Sequence, residues 1–195
     1  MEEIIIHDNF VEDELSCELE EFFSKDVSWK YGAKSNSSLS TTQPIPHWVN
    51  YFYIGTTSTN YGTPVDKVIF VDSCIQSLYQ KIKDIIDPGS HLLRCYANGY
   101  TYGNDANIHT DDVRDGTTTF IFYPMKEWSV DWGGETIFWD RANREITKSV
   151  LPKSKRMLSF PSKFWHGARP VSRNCCRLRI TLMFKFIIPG DVSSI

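Results

Sequence analysis

Downstream of Gly89 the chain breaks into short apolar runs separated by turns: His91 to Tyr96, Asn107 to Val113, Thr118 to Tyr123, Glu135 to Trp139, Glu145 to Val150, Arg156 to Phe160, Trp165 to Val171 and Arg177 to Ile188. Runs of this length are too short for helices and are spaced as the strands of a sandwich or a double-sheet jelly roll. That cadence limits what the upstream half can be. It must supply whatever covers the sheet, and its pattern suits that task.

Glu3 to Phe10 opens with three isoleucines and reads as a buried strand. Val11 to Ser24 spaces Leu15, Leu19, Phe22 and Phe23 as one face of an amphipathic helix. A second helical pattern runs from Thr63-Pro64 through Val68, Ile75, Leu78, Ile82 and Ile85 to a stop at Asp87-Pro88-Gly89. Between the two, Trp29 to Thr63 loses periodicity and reads either as a functional lid or as surface covering with Trp48 to Ile54 as a strand. The expected class is α+β and mainly β. Residues 1–195 are expected to form one domain, with 1–90 as helical support and lid loop and 91–188 as the jelly-roll core, since there is no internal repeat and no second core.

Charge and cysteine usage narrow the setting. From Met1 to Asp140 there are 9 Lys+Arg against 22 Asp+Glu, and from Arg141 to Ile195 there are 12 against 2. The two halves are expected to interleave in one fold, basic strands beside acidic neighbours, although a polyanion partner is the other reading of a basic segment. No apolar run approaches the roughly 20 residues that span a bilayer, and the acidic start lacks the pattern of a secretory signal. Five cysteines without CxxC spacing fit free thiols in a reducing compartment, so a cytoplasmic location is expected.

The chemistry concentrates at His109-Thr110-Asp111. On a strand, residues two apart share a face, so the imidazole and the carboxylate would project side by side. His166, in Phe164-Trp165-His166-Gly167-Ala168-Arg169-Pro170, is the candidate third ligand. Two histidines and a carboxylate leave coordination positions open and suit Fe(II), whereas structural zinc normally recruits thiolates. His7, His47 and His91 have no ligand-like spacing and read as structural histidines.

Taken with its company, the triplet is more specific. His109-x-Asp111, Tyr123 with Trp128 followed by Gly133-Gly134-Glu135-Thr136, His166-Gly-Ala-Arg-Pro170 and Arg177-Leu-Arg-Ile-Thr181 together resemble the Fe(II)- and 2-oxoglutarate-dependent dioxygenases, in their prolyl-4-hydroxylase-like branch, over about Leu92 to Phe186. The resemblance implies a double-stranded β-helix, with His109, Asp111 and His166 on iron and 2-oxoglutarate chelating the metal. It also implies a fixed cation for the distal carboxylate, a task that suits the planar fork of arginine. Arg177 is preferred because Thr181 follows it by four residues, as that branch requires. Arg179 fits the Arg-x-Ser/Thr pattern of other branches. Tyr123 resembles the tyrosine that donates to the same carboxylate, and Tyr96 one that lines the active site; packing is the alternative for Tyr96. Arg94 alternates with Tyr96 on one face and would reach substrate. O2 is the implied co-substrate, and ascorbate is compatible with it.

The implied reaction is hydroxylation with release of succinate and CO2. Its target is expected to be a prolyl or other residue of a protein or peptide; a free amino acid or other small molecule stays open. Net acidity disfavours nucleic acid. The competing class is a non-catalytic, cupin-like metal-binding module, and no oligomeric state is legible.

Overall fold

The computed structural model describes residues 3–35, 45–54 and 68–188. Among them are ten strands: β1 (Ile5–His7), β2 (Lys30–Ala33), β3 (His47–Ile54), β4 (His91–Tyr100), β5 (Thr117–Phe122), β6 (Thr136–Asp140), β7 (Glu145–Val150), β8 (Met157–Pro161), β9 (His166–Ala168) and β10 (Arg179–Ile187). Two α-helices, α1 (Asp13–Lys25) and α2 (Ser73–Lys83), and a 3-10 turn at Val130–Trp132 complete the described elements. A larger antiparallel sheet in the order β1-β8-β5-β10-β4-β3-β2 faces a smaller one in the order β7-β6-β9. The His109 and His166 backbones bridge in antiparallel sense and continue the smaller sheet by one more segment. This is the jelly roll that the strand cadence predicts.

Central strand β10 is buried on both faces, and its alternation divides the molecule. Ile180, Leu182, Phe184 and Phe186 belong to the hydrophobic core, with Tyr79 of α2 stacked on Phe184 and Phe186 at centroid distances of 6.5 and 6.1 Å. Arg179, Thr181, Met183 and Lys185 point the other way and line a cavity between the sheets. Burying one of the large apolar side chains contributes about 1.5–3 kcal/mol.

The helices form where an apolar stripe can be covered. Leu15, Leu19 and Phe23 repeat every four residues on α1 and are buried, while acidic Asp13 and Glu14 occupy the first turn, where the helix dipole favours them. On α2 the buried stripe is Cys74, Ile75, Leu78, Tyr79 and Ile82. Of the helical pattern expected from Thr63-Pro64 onward, residues 63–67 lie outside the described residues and Val68–Phe70 is not helical; the Gln76 side chain accepts from the Phe70 amide ahead of the Asp72 N-cap. β-branched Val68, Ile69 and Val71 favour extended backbone there.

The basic and acidic halves do interleave. Asp8 accepts from Arg156 and Lys153, Asp13 pairs with Lys155 and Asp115 with Lys163. Much of the expected lid, Tyr31 to Thr63, lies outside the described residues, but its described parts are sheet. β2 and β3 extend the larger sheet beside β4, as the strand alternative anticipated. Cys17, Cys74, Cys95, Cys175 and Cys176 are all unpaired, and no helix among the described residues is long and apolar enough to cross a membrane.

Candidate active site

His109 and Asp111 do not sit on a regular strand. Residues 107–113, expected as one, are irregular apart from the single bridge at His109, so strand alternation is not what aligns the two side chains. The turn at Pro161–Phe164 performs that alignment instead. His109 exchanges backbone hydrogen bonds with His166 (2.9 Å each way), and the Ser162 carbonyl accepts from the amides of both Asp111 and Asp112 (2.9 and 3.2 Å). The approach is so close that a Cβ on Gly167 would stand 2.9 Å from the Ala106 carbonyl, which is why glycine follows the histidine. Asp112 turns away into an ion pair with Arg114.

Ligating atoms of His109, Asp111 and His166 all lie within 4.8 Å of one another. Each imidazole has its Nδ1 on a backbone carbonyl, His109 on Asn107 (2.7 Å) and His166 on Phe164 (2.9 Å). This places the proton on Nδ1 and leaves both Nε2 lone pairs facing Asp111, the tautomer that a metal requires. Burial, helped by neighbouring His166, lowers the His109 pKa to about 4, so the ring is neutral and ready to ligate. Burial alone would push the Asp111 carboxyl up, but Lys185 and the two histidines outweigh it and hold it well below the usual range. Thr119 donates to Asp111 Oδ2 (2.9 Å), fixing the carboxylate's rotation. Lys185, 3% exposed, donates to the Asp111 carbonyl at 2.5 Å and lies 3.6 Å from Oδ1. Burial lowers its pKa and Asp111 opposes that shift.

The triad opens into a cavity of about 510 Å³. Arg179, 1% exposed, lies in its wall, its Nε on the Gly134 carbonyl (2.5 Å) and one terminal nitrogen on Thr136 Oγ1 (2.9 Å). Tyr100 and Tyr123 flank the guanidinium at 5.5 and 5.7 Å. Among the described residues no carboxylate pairs with it. A buried cation without an anion is costly, and one arm of a dicarboxylate answers that cost. The site therefore fits both iron and 2-oxoglutarate by its own chemistry.

Arg177, preferred on the sequence pattern, is not brought into this cavity. The regular strand begins only at Arg179, and Arg177 lies in the preceding bend, exposed, beside Glu20 and Glu127 (3.6 and 3.7 Å). Tyr123 is buried behind Thr136, hydrogen-bonded to its hydroxyl at 2.7 Å, and so reaches the arginine without lining the cavity. Tyr96, Arg94 and Thr181 do line it. Tyr100, His47, which stacks on Tyr100 at 4.8 Å, and Lys185 also line it; of these, His47 reads from the sequence as structural and Lys185 is not singled out by it. Alternation along β10 from Arg179 would have found Lys185; nothing in the spacing of His47 marks it.

Gly134 illustrates how tightly the arginine is held. Its φ is +73°, and a Cβ there would stand 2.9 Å from Arg179 Cδ. Gly134→Ala is expected to weaken 2-oxoglutarate binding at least as much as it weakens the fold, where the backbone strain costs about 1–2 kcal/mol. Titration of 2-oxoglutarate alongside thermal melting checks this.

An open facial set of two imidazoles and a carboxylate on a jelly roll marks the class of non-haem iron oxygenases. Residues 92–185, just under half of the chain, match the model of the 2OG-Fe(II) oxygenase superfamily. That match, together with the His-Asp-His triad, indicates a 2-oxoglutarate-dependent oxygenase, and the matched family implies Fe(II), 2-oxoglutarate and O2. Among solved structures, an oxidoreductase of the 2OG-Fe(II) oxygenase family from Burkholderia pseudomallei superposes with a TM-score of 0.69 at 11% identity, covering 96% of this chain and 86% of that one. A prolyl hydroxylase from Trichoplax adhaerens, in complex with a hypoxia inducible factor oxygen degradation domain peptide fragment, gives 0.66 at 17%, covering 94% and 83%. A prolyl-4-hydroxylase from Pseudomonas putida gives 0.59 at 14%, covering 94% and 91%. At these identities the likeness shows the shared, prolyl-hydroxylase-like fold. No curated protein sequence matches the chain.

Proposed function

We propose that the protein hydroxylates a prolyl or other residue of a protein or peptide, with release of succinate and CO2. The observation that carries this reading is that three metal-ligating side chains and one buried, anion-free arginine open into the same cavity. His109, Asp111 and His166 would hold the iron; Arg179, supported by Thr136, Tyr123 and Gly134, would hold the distal carboxylate of 2-oxoglutarate, with Thr181 and Tyr96 lining the same cavity. When bound, iron would let O2, the oxidant, be reduced with two electrons from 2-oxoglutarate and two from an otherwise unactivated substrate C–H bond. The chain's own part is to keep the imidazoles neutral, hold the Asp111 carboxylate ionised, orient the diacid and exclude water.

A peptide substrate is supported by the Trichoplax protein, whose structure carries a peptide, and by the strand β3 that walls the cavity here. Ascorbate, as a reductant keeping iron divalent, belongs to the same reading. Five unpaired thiols support a reducing, cytoplasmic setting.

Adding Fe(II) and 2-oxoglutarate to the apoprotein without oxygen is expected to raise a weak visible charge-transfer band, and admitting oxygen to yield succinate. Substituting Zn(II) should give neither. If the Fe(II) protein is as silent as the Zn(II) protein, the non-catalytic metal-binding module is the better description.

A further inference from the structure

We propose that the primary substrate presents a carboxylate at the iron end of the cavity and that Arg94 receives it; this rests on the oxygenase reading above. Arg94 is the cross-strand partner of Lys185 in the β4–β10 register, while Arg179 pairs with Tyr100 at the opposite end of the same ladder. Six residues of β10 separate the two ends, about 20 Å at roughly 3.3 Å per residue. Thr136, which holds Arg179, pairs with Ala168, and Ala168 is only two residues along β9 from His166. A five-carbon diacid therefore reaches from Arg179 to the triad and no further. The Lys185 and Arg94 end lies beyond it, next to Asp111, where a substrate must sit to be oxidised.

The two cations at that end differ. Lys185 is committed to Asp111 through its carbonyl and carboxylate. Arg94 has no ion pair among the described residues, its Nε is buried without a hydrogen-bond partner, and its guanidinium carbon lies 5.9 Å from the Tyr96 ring centroid. Such a guanidinium is an incomplete recognition element, because a buried donor left unmade is costly and a planar anion completes it.

The charge of the whole cavity points the same way. Among the described residues, Lys34, Arg94, Arg179 and Lys185 line it against one carboxylate, Asp111, in a protein whose formal net charge is -3. Ferrous iron adds two positive charges and 2-oxoglutarate removes two, so the loaded cavity keeps its excess. A low-dielectric cleft of one sign concentrates ligands of the other. Anchoring a carboxylate on Arg94 would also fix which carbon of the substrate faces the metal. Two sources offer the group: the α-carboxylate of a free amino acid, and an acidic side chain or C-terminus in a peptide.

The test is a binding panel on the protein loaded anaerobically with Fe(II) and 2-oxoglutarate. Free amino acids, their primary amides, peptides with Glu or Gln beside a proline, and nucleoside monophosphates are read by the change each causes in the charge-transfer band. Carboxylates are expected to bind at least about tenfold tighter than their amide counterparts. Arg94→Gln is expected to erase that preference, Arg94→Lys to restore part of it, and Arg173→Gln, an exposed charge elsewhere, to keep it. Free amino acids and acidic peptides in the panel separate the two sources. The proposal is overturned if no carboxylate binds, if amides or nucleotides bind as well, or if Arg94→Gln leaves the preference intact. A missing band in the wild type overturns the oxygenase reading and this one together, whereas a normal band without acid preference overturns this one alone.

Discussion

Asp111→Ala is expected to abolish the Fe(II)–2-oxoglutarate band and turnover, and to lower stability as well. The carboxylate holds two roles: it supplies the anionic donor of the triad, and it is the counter-charge of Lys185, which is 3% exposed. Removing it leaves an uncompensated buried ammonium, a loss of about 3–5 kcal/mol. Because burial already lowers the Lys185 pKa, part of that loss will be relieved by deprotonation of the lysine. Asp111→Asn keeps the Thr119 contact and the shape but removes the charge, so it separates the two effects. The pair is read by iron binding and by thermal melting. A fully stable Asp111→Ala that still turns over would refute the placement of iron on this residue.

Arg179→Gln is the second large effect, and it is a contest between two arginines. The Arg179 guanidinium is desolvated and held by Gly134 and Thr136, so the hydrogen bonds it would give a carboxylate are charge-assisted and worth about 1.5–3 kcal/mol each. Losing them is expected to raise the 2-oxoglutarate Kd roughly 10- to 100-fold or more. Arg177→Gln removes an exposed ion pair with Glu20 and Glu127, worth about 0–1 kcal/mol, and is expected to leave that Kd unchanged. Measuring both variants by titration decides between the sequence pattern and the geometry. If Arg177→Gln is the one that loses affinity, the distal carboxylate is held somewhere other than the cavity wall at Arg179.

Much of the architecture was legible because the strands of the large sheet are short apolar runs bounded by turns: Thr118 to Tyr123 and most of Arg177 to Ile188 are buried on both faces. The triad's members were legible as residue types in order. Their alignment was not, since residues 107–113 are positioned by hydrogen bonds to Ser162 and His166, long-range contacts with no periodic trace in the chain. Choosing between Arg177 and Arg179 depended on where β10 starts, and element ends are the least periodic part of any pattern. His47 entered the cavity because β3 pairs with β4, a consequence of sheet order that spacing alone does not carry. The lid reading of 31–63 falls partly outside the described residues; most of what is described there belongs to strands β2 and β3.

Central strand β10 carries a wider lesson about error. Because its side chains alternate between the helix-covered core and the cavity, a slip of one residue against β4 and β5 would drive Arg179 and Lys185 together into the layer of Tyr79, Phe70 and Leu78. Such a slip would withdraw from the cavity both the guanidinium of Arg179 and the ammonium that pairs with Asp111.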